Sequence, residues 1–304
     1  METWRPLLSA VRGTSPDATL LAWTPGTAFG YRSTLEGAGF DGCFSSLAWW
    51  DFGERWFIEE YNLQRRLGGQ IAFPEPPFSR RTAHGSDGHE ILRRRSLRAL
   101  DLAEALGDGL LVPMGFEYGA STPLDPTYGD AGGLDRFRTN APFDLTEEIR
   151  RINGKIAARQ TRLATSIRLI TSGDKKAAAI LRADSDDLRS AGKVTMAIVN
   201  KDLRHFTPVP AQAMDAALSG FAPSPEQEDL LARKLHPAEV RLVAAAPTAP
   251  VKISTPADAV TSAVASPRIA IEDIAPAVDD GRFPIKRIVG DLVRVEADIF
   301  AMRS

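Results

Sequence analysis

The chain has 304 residues, of which 43% are hydrophobic and 25% are charged, and this composition is typical of a globular protein long enough for about two domains. Its 37 basic residues nearly balance its 39 acidic residues, so the net charge of −2 supplies no long-range field to attract nucleic acid or an anionic membrane. The single cysteine, Cys43, excludes an intramolecular disulfide; its apolar neighbours predict a buried thiol, with a reactive thiol as the alternative.

The sequence also lacks membrane and secretion signals. No apolar run approaches the ~20 residues that a membrane-spanning helix needs, and the N-terminus has no charged-then-apolar signal pattern. We therefore expect a cytoplasmic protein with no nucleic-acid and no membrane partner.

Residues 1–120 alternate short apolar strands with helical segments. The predicted strands are residues 18–23, 42–46, 70–73 and 109–112. Helical periodicity is found in residues 1–12, 27–37, 54–67 and 89–106. This alternation predicts parallel strands joined by crossover helices, and four such strands make half of an eight-stranded barrel.

The next region changes from helical to strand periodicity. Residues 121–143 are rich in Gly, Pro, Asp and Thr and predict a long loop, after which a helix is predicted from the N-cap Asp144 to about residue 160. Short strands predicted at 166–171, 177–182, 193–200 and 238–245 indicate a small antiparallel β-domain. Residues 246–265, rich in Ala, Pro, Thr, Ser and Val, predict a flexible interdomain linker.

The last forty residues contain two segments of alternating apolar residues, 268–274 and 292–299, separated by the turn signal at residues 279–281. They predict the first strands of a β-sandwich domain, residues 266–304, that is cut short. The predicted fold class is therefore α/β: a half TIM-type barrel, then a small antiparallel β-domain, then the first strands of a truncated β-sandwich.

Two segments near the C-terminus carry a family resemblance. Residues 267–274 (Pro-Arg-Ile-Ala-Ile-Glu-Asp-Ile) and residues 281–291 (Gly-Arg-Phe-Pro-Ile-Lys-Arg-Ile-Val-Gly-Asp) resemble the opening of the N-terminal domain of bacterial α-1,4-glucan:maltose-1-phosphate maltosyltransferases, which are members of the α-amylase superfamily. The resemblance implies a glycosyltransferase of α-glucan (glycogen) metabolism that moves maltosyl units from maltose 1-phosphate to α-1,4-glucan. It also implies a retaining mechanism without a dissociable cofactor.

A second resemblance concerns the strand–helix region. Residues 35–44 and 103–117, the latter ending in Gly-Phe-Glu, resemble the segments that lead into the sixth and eighth strands of an α-amylase-type barrel. The order of elements is similar to the second half of such a barrel with its C-terminal β-domain. The resemblance implies a partial amylase-like barrel in residues 1–143 and the accompanying helix and β-domain in residues 144–245, ahead of the maltosyltransferase N-terminal domain.

The resemblance also implies that the catalytic groups are missing. Retaining glycoside chemistry needs two carboxylates ~5–5.5 Å apart. In the superfamily they come from the fourth and fifth strands, with a stabilising Asp on the seventh. The fourth strand has no counterpart here, Trp23 stands where the acid is expected, and Phe73-Pro74-Glu75 replaces the His-Asp pair. We expect no catalytic residue in this chain, and a catalytic barrel of the intact family would begin beyond residue 304.

Sugar binding without catalysis remains open, because several aromatic and acidic residues fall near strand C-termini, where barrel sites are built. The candidates are Trp23, Trp49, Trp50, Asp51, Trp56, Glu75 and Glu117. Indole faces stack on sugar rings, and carboxylates bind hydroxyls. The alternative is that Trp49, Trp50 and Trp56 pack strand against helix. The four histidines lack Cys or acidic neighbours at metal-ligand spacing, so no metal is expected.

Three functions follow from these interpretations. The first is a non-catalytic N-terminal fragment of a maltosyltransferase-like protein, serving assembly or glucan contact with an α-glucan or maltosyl ligand. The others are a stand-alone carbohydrate-binding amylase-like module and a residual glycoside hydrolase. Because neither edge strand of a half barrel, residues 18–23 and 109–112, carries a guarding Lys or Arg, we also expect a homo-oligomer or pairing with missing flanking domains.

Overall fold

The computed structural model describes residues 4–85, 88–122, 131–159, 162–163, 165–171, 175–248, 269–279 and 281–301. The chain divides into two compact units, Met1–Thr248 and Ala249–Ser304. Each unit is described by itself.

The first sheet of the larger unit is parallel. Its strands are β1 (Leu21–Ala22), β2 (Gly42–Phe44), β3 (Gly69–Ala72) and β4 (Gly109–Leu110), in the spatial order β1-β2-β3-β4. Every neighbouring pair is parallel, as the strand–helix alternation predicts. Strands β1, β2 and β4 are shorter than the segments predicted from apolar runs, whereas β3 has the predicted length and begins one residue earlier.

Helices precede and connect these strands. They are α1 (Trp4–Thr14), α2 (Phe29–Arg32), α3 (Trp56–Gln64) and α4 (His89–Leu106). The ends of α4 match the prediction because glycines flank it: Gly88 has a φ of 108°, and Gly107 is extended. The segment predicted as one helix over residues 27–37 is instead the single turn α2 followed by a 3₁₀ turn, Ser33–Leu35.

Close backbone approach fixes the register of β2 against β3. A Cβ on Gly42 would lie 2.2 Å from the carbonyl oxygen of Gly69, with which Gly42 is paired. A Cβ on Gly68, whose φ is 132°, would lie 2.1 Å from the carbonyl oxygen of Asp41. Strands β2 and β3 can therefore pair in this register only if residues 42 and 68 are glycines.

The prediction of a continuous loop over residues 121–143 is wrong for its second half. Helix α5 occupies Ala131–Thr139, and α6 follows at Thr146–Ala157. The N-cap position of α6 is Leu145, and no side chain caps it. Asp144 instead accepts a hydrogen bond on Oδ1 from the backbone N–H of Thr146 at 2.8 Å, which corrects the predicted N-cap by one residue.

The second sheet of this unit is antiparallel, which confirms a fold of mixed parallel and antiparallel sheets. It contains β5 (Ile167–Leu169), β6 (Ala177–Ala183), β7 (Val194–Asn200), β8 (Phe221–Pro223) and β9 (Val240–Pro247), in the order β5-β6-β7-β9-β8. Four of these strands, β5, β6, β7 and β9, lie where short strands are predicted from the sequence. Strand β8 and the helices α7 (Ala211–Ala217) and α8 (Pro225–Ala232) were not predicted.

Both faces of the antiparallel sheet are covered. Ala178 and Ile180 of β6 belong to the apolar cluster shared with the helices and strands of the parallel sheet, whereas Leu181 belongs to a second cluster with Met214 of α7 and the partly buried Leu231 of α8. Because both faces are covered, β6 begins with five consecutive apolar residues, Ala177 to Leu181, rather than with an alternating pattern.

Polar side chains also join the two sheets. The amide of Asn62 in α3 exchanges two hydrogen bonds with the backbone of Ile167 in β5, at 2.9 and 2.8 Å. Arg98 of α4 donates to the carbonyls of Asn200, the last residue of β7, and Lys201, at 3.3 and 2.7 Å. These hydrogen bonds therefore connect the helices that pack on the parallel sheet to the antiparallel sheet.

The smaller unit contains one antiparallel pair, β10 (Ile269–Ala275) and β11 (Glu296–Ala301), with an irregularity between Glu272 and Ala275. Strand β10 lies within one residue of the predicted segment 268–274, whereas β11 begins four residues later than the predicted segment 292–299 and ends two residues beyond it. An isolated bridge between Val278 and Phe283 brackets the predicted turn. The predicted linker, residues 246–265, lies outside the described residues from residue 249 onward, and its first two residues extend β9.

Candidate binding cleft

A cavity of about 550 Å³ opens where β1, β2 and β3 end. Its size lies within the ~300–1,000 Å³ typical of small-molecule sites. The lining comes from the segments that follow the three strands and from helices α2 and α3. The lining residues are Trp23, Pro25, Gly26, Arg32, Ser46, Trp49, Trp56, Glu60, Pro76, Pro77, Phe78 and Ser79. In α/β proteins, binding sites commonly form at the carboxyl ends of parallel strands. We call this cavity the aromatic cleft.

Two indole rings of the aromatic cleft rest on one buried phenylalanine. The Trp23 ring stacks on Phe73, with ring centroids 5.8 Å apart and planes at 7°, and the Trp49 ring meets Phe73 edge-on at 5.5 Å. Phe73 is fully buried, whereas Trp23 and Trp49 remain 41% and 46% exposed. The indoles are thus fixed from behind and open toward the cleft, which is a preorganised aromatic surface.

The rest of the apolar lining comes from the loop after β3 and from the start of α3. Phe78, on the loop after β3, lies 5.4 Å from the Trp23 ring and is 79% exposed. Trp56, at the start of α3, meets the buried Phe57 edge-on at 6.0 Å and keeps 36% of its surface exposed. Prolines 76 and 77 complete the wall, so most of the lining is apolar.

The polar floor of the cleft is an ion pair. The guanidinium of Arg32 in α2 contacts the carboxylate of Glu60 in α3, and both side chains are less than a tenth exposed. Glu60 also accepts a hydrogen bond from Nε2 of Gln64 at 3.1 Å. The carboxylate is therefore occupied by two partners, and the pair contributes no net charge to the cleft.

Trp50 lies on the other side of the segment that carries Trp49. It is 4% exposed, stacks on Phe57 at 4.9 Å, and donates from Nε1 to the carbonyl of Glu54 at 2.8 Å. The structure therefore places Trp50 in the hydrophobic core, as the packing alternative describes, and does not bring it to the cleft.

Glu75 is buried and is not among the residues that line the cleft. Its carboxylate lies 2.8 Å from the guanidinium of Arg81, and both side chains are 2% exposed. Oε2 of Glu75 accepts the backbone N–H of Thr82 at 2.9 Å. Burial raises the pKa of Glu75, and the positive charge of Arg81 opposes that shift. The pair ties together the two ends of the loop that carries Phe78.

The remaining acidic candidates stabilise turns. Asp51 accepts the N–H groups of Gly53 and Glu54 on Oδ1, each at 3.0 Å, and these bonds hold the pKa of Asp51 below its ordinary value. Glu117 accepts the N–H of Gly115 at 3.0 Å in the turn after β4. Neither residue is brought to the aromatic cleft.

Sequence patterns did not identify the polar floor. Arg32 and Glu60 lie in separate predicted helices, 28 positions apart, and no local spacing links them. Phe78 had a weak signal, because it follows two prolines directly after a predicted strand. Within the described part of the chain, no group of three His, Cys, Asp or Glu side chains is placed to hold a metal ion, and no helix has the length and apolar character needed to cross a membrane.

The fold and the cleft define an α/β protein with an aromatic-lined site at the carboxyl edge of a parallel sheet. Residues 267–302 match the family model described as "Alpha-1,4-glucan:maltose-1-phosphate maltosyltransferase, domain N/S". Over 98% of its length the chain is 36% identical to the curated Alpha-1,4-glucan:maltose-1-phosphate maltosyltransferase of Burkholderia pseudomallei (strain K96243). The chain spans 28% of the length of that relative. The maltosyltransferase resemblance seen in the C-terminal segments is confirmed.

Two solved structures also match in part. A debranching enzyme from Nostoc punctiforme is 13% identical with a TM-score of 0.42, over 80% of this chain and 53% of that one. The cyclic α-maltosyl-(1→6)-maltose hydrolase from Arthrobacter globiformis is 16% identical with a TM-score of 0.46, over 79% of this chain and 52% of that one.

Proposed function

We propose that this chain is a non-catalytic, glucan-contacting part of a maltosyltransferase-like protein of α-glucan metabolism. In this proposal residues 1–143 are the second half of an amylase-like barrel and residues 144–245 are its accompanying helix and β-domain. The observation that carries the proposal is the pair of exposed indoles, Trp23 and Trp49, held in place by Phe73 at the carboxyl edge of the parallel sheet. The similarity to a maltosyltransferase over nearly the whole chain supports the choice of ligand.

The acids near the cleft support the absence of catalysis. Retaining glycoside chemistry needs two carboxylates ~5–5.5 Å apart with access to the sugar. Glu60 is engaged by Arg32 and Gln64 on the floor of the cleft, and Glu75 is buried against Arg81. Each carboxylate is thus committed to a guanidinium. Maltosyl transfer itself would be carried out by other parts of the longer protein.

Trp23 provides a direct test of the proposed sugar contact. Covering the two-fifths of its surface that are exposed is worth on the order of 1 kcal/mol, which is about a fivefold change in affinity. Calorimetric titration of the full chain with maltoheptaose should therefore show binding that weakens about fivefold in Trp23→Ala. Trp4→Ala is the matched control, because Trp4 is 44% exposed on α1 and is outside the cleft lining.

Activity assays test the second half of the proposal. The purified chain, given maltose 1-phosphate and glycogen, should release no phosphate above background. Phosphate release that disappears in Glu75→Gln would show that Glu75 is catalytic and would contradict the non-catalytic assignment. Binding that is equally strong in Trp23→Ala would remove the aromatic cleft as the contact site.

A further inference from the structure

The charge of the aromatic cleft bears on which sugar it can hold. Among the described residues that line it, the only cation is Arg32 and the only anion is Glu60, and these two form an ion pair. A phosphate entering the cleft would lose water and meet no uncommitted cation in the lining. The transfer of a charge into such a site is unfavourable unless it is paired.

Neighbouring arginines do not change this balance. Arg81 is already paired with the buried Glu75. Arg55 and Arg80 precede or follow lining residues in the chain, but both are exposed to solvent and neither lines the cleft. Charges held in bulk solvent are screened and attract a phosphate only weakly.

The apolar walls of the cleft favour an uncharged ligand. Trp23, Trp49 and Phe78 present ring faces and edges toward the cavity, next to prolines 76 and 77. Apolar walls with a few polar groups suit the C–H face of an uncharged pyranose ring. The name of the maltosyltransferase relative contains two sugars, a neutral α-1,4-glucan and maltose 1-phosphate.

We infer that the aromatic cleft selects an uncharged α-glucan segment and discriminates against the phosphorylated disaccharide. The inference rests on the proposed function, because it names the substrate class of the same cleft. It assigns this region to the neutral glucan and not to the phosphorylated sugar. The Arg32–Glu60 pair is the element that keeps the floor neutral.

Maltose and maltose 1-phosphate form a matched pair of probes, since they differ only in the phosphate. In calorimetric titrations of the full chain, we expect maltose 1-phosphate to bind no more tightly than maltose, and maltoheptaose to bind more tightly than either. Affinity for maltoheptaose should be the same at low and high salt, because no charge is involved. Maltose 1-phosphate binding tenfold tighter than maltose at low salt, with the gain lost at high salt, would overturn the inference while leaving sugar binding intact.

A charge added at the rim tests the cause. Ser79 lines the cleft and is exposed, so Ser79→Lys should fold normally. We expect it to raise the affinity for maltose 1-phosphate relative to that for maltose at least threefold at low salt, whereas the neutral control Ser79→Gln should leave the ratio of the two affinities unchanged. An unchanged ratio in Ser79→Lys would count against charge as the basis of selection. The absence of binding by all three sugars would overturn the proposed function and the selectivity with it.

Discussion

Replacing Arg81 should lower the free energy of unfolding, because the buried carboxylate of Glu75 would lose its counter-charge. The side chains of both residues are 2% exposed, and the carboxylate and guanidinium are 2.8 Å apart. In Arg81→Met the carboxylate keeps its hydrogen bond from Thr82 but loses its counter-charge. Breaking a buried pair in this way costs about 3–5 kcal/mol. We expect the lower half of that range, because Oε1 of Glu75 and Nη2 of Arg81 are close without forming an aligned hydrogen bond.

The pH dependence of the destabilisation tests more specifically whether the unpaired carboxylate is its cause. Burial already raises the pKa of Glu75 in the folded protein, and removing Arg81 should raise it further. A group with a raised folded pKa contributes stability that is fully present below its unfolded pKa, ~4.3 for Glu, and lost as the pH rises through the folded value. The destabilisation caused by Arg81→Met should therefore be largest near neutral pH and shrink toward pH ~4.5.

Urea denaturation monitored by tryptophan fluorescence, repeated across this pH range, measures the effect. Arg80→Met is the matched control, because Arg80 is the exposed neighbour and its loss should change the free energy of unfolding by no more than about 0.5 kcal/mol. The double variant Glu75→Gln/Arg81→Met should recover most of the lost stability. A loss at neutral pH below about 1 kcal/mol, or one of equal size at acid pH, would refute the argument that an unpaired buried charge is the cause.

Three further predictions concern accessibility and assembly. Burial raises the pKa of the Cys43 thiol to about 12, so a thiol reagent should label this residue only after unfolding; rapid labelling of the native chain at neutral pH would contradict its burial. A protease should cut first within residues 246–265, whose composition supplies few large apolar groups, and should leave a fragment ending near residue 245; early cutting within residues 70–112 would show that the parallel sheet is not folded. Because β1 and β4 are the edge strands of the parallel sheet, we expect at least a dimer in sedimentation at micromolar concentration; a stable monomer with a cooperative melt would argue against edge pairing and the half barrel.

Local patterns predicted the elements that have strong boundaries. Helix α4 was predicted with its correct ends because an amphipathic run of residues lies between Gly88 and Gly107. Alternating apolar residues predicted β10 to within one residue but placed the start of β11 four residues too early. By contrast, α5 lies in a segment whose glycines and polar residues favour a loop, and it forms in spite of low intrinsic helix propensity.

The candidate site was predicted in part, because aromatic residues after strands are visible in a sequence but their orientation is not. Trp49 and Trp50 are adjacent at a 3₁₀ turn and project to opposite sides, one into the cleft and one into the core. No periodicity distinguishes them. The Arg32–Glu60 pair depends on how α2 packs beside α3, which is a tertiary contact without a local signal.

Because the two sheets share one hydrophobic core, the aromatic cleft depends structurally on the antiparallel sheet as well as on the parallel sheet. Phe57 and Tyr61 of α3 belong to one apolar cluster with Ile167 and Ile180 of the antiparallel sheet, and the Asn62 and Arg98 contacts join the same two layers. The chain changes from a parallel to an antiparallel sheet near residue 144, but the two sheets share this apolar cluster and do not have separate cores. Any recombination, deletion or graft that keeps the aromatic cleft must carry the antiparallel sheet with it, because the helix that supplies Trp56 and Glu60 is supported from behind by that sheet.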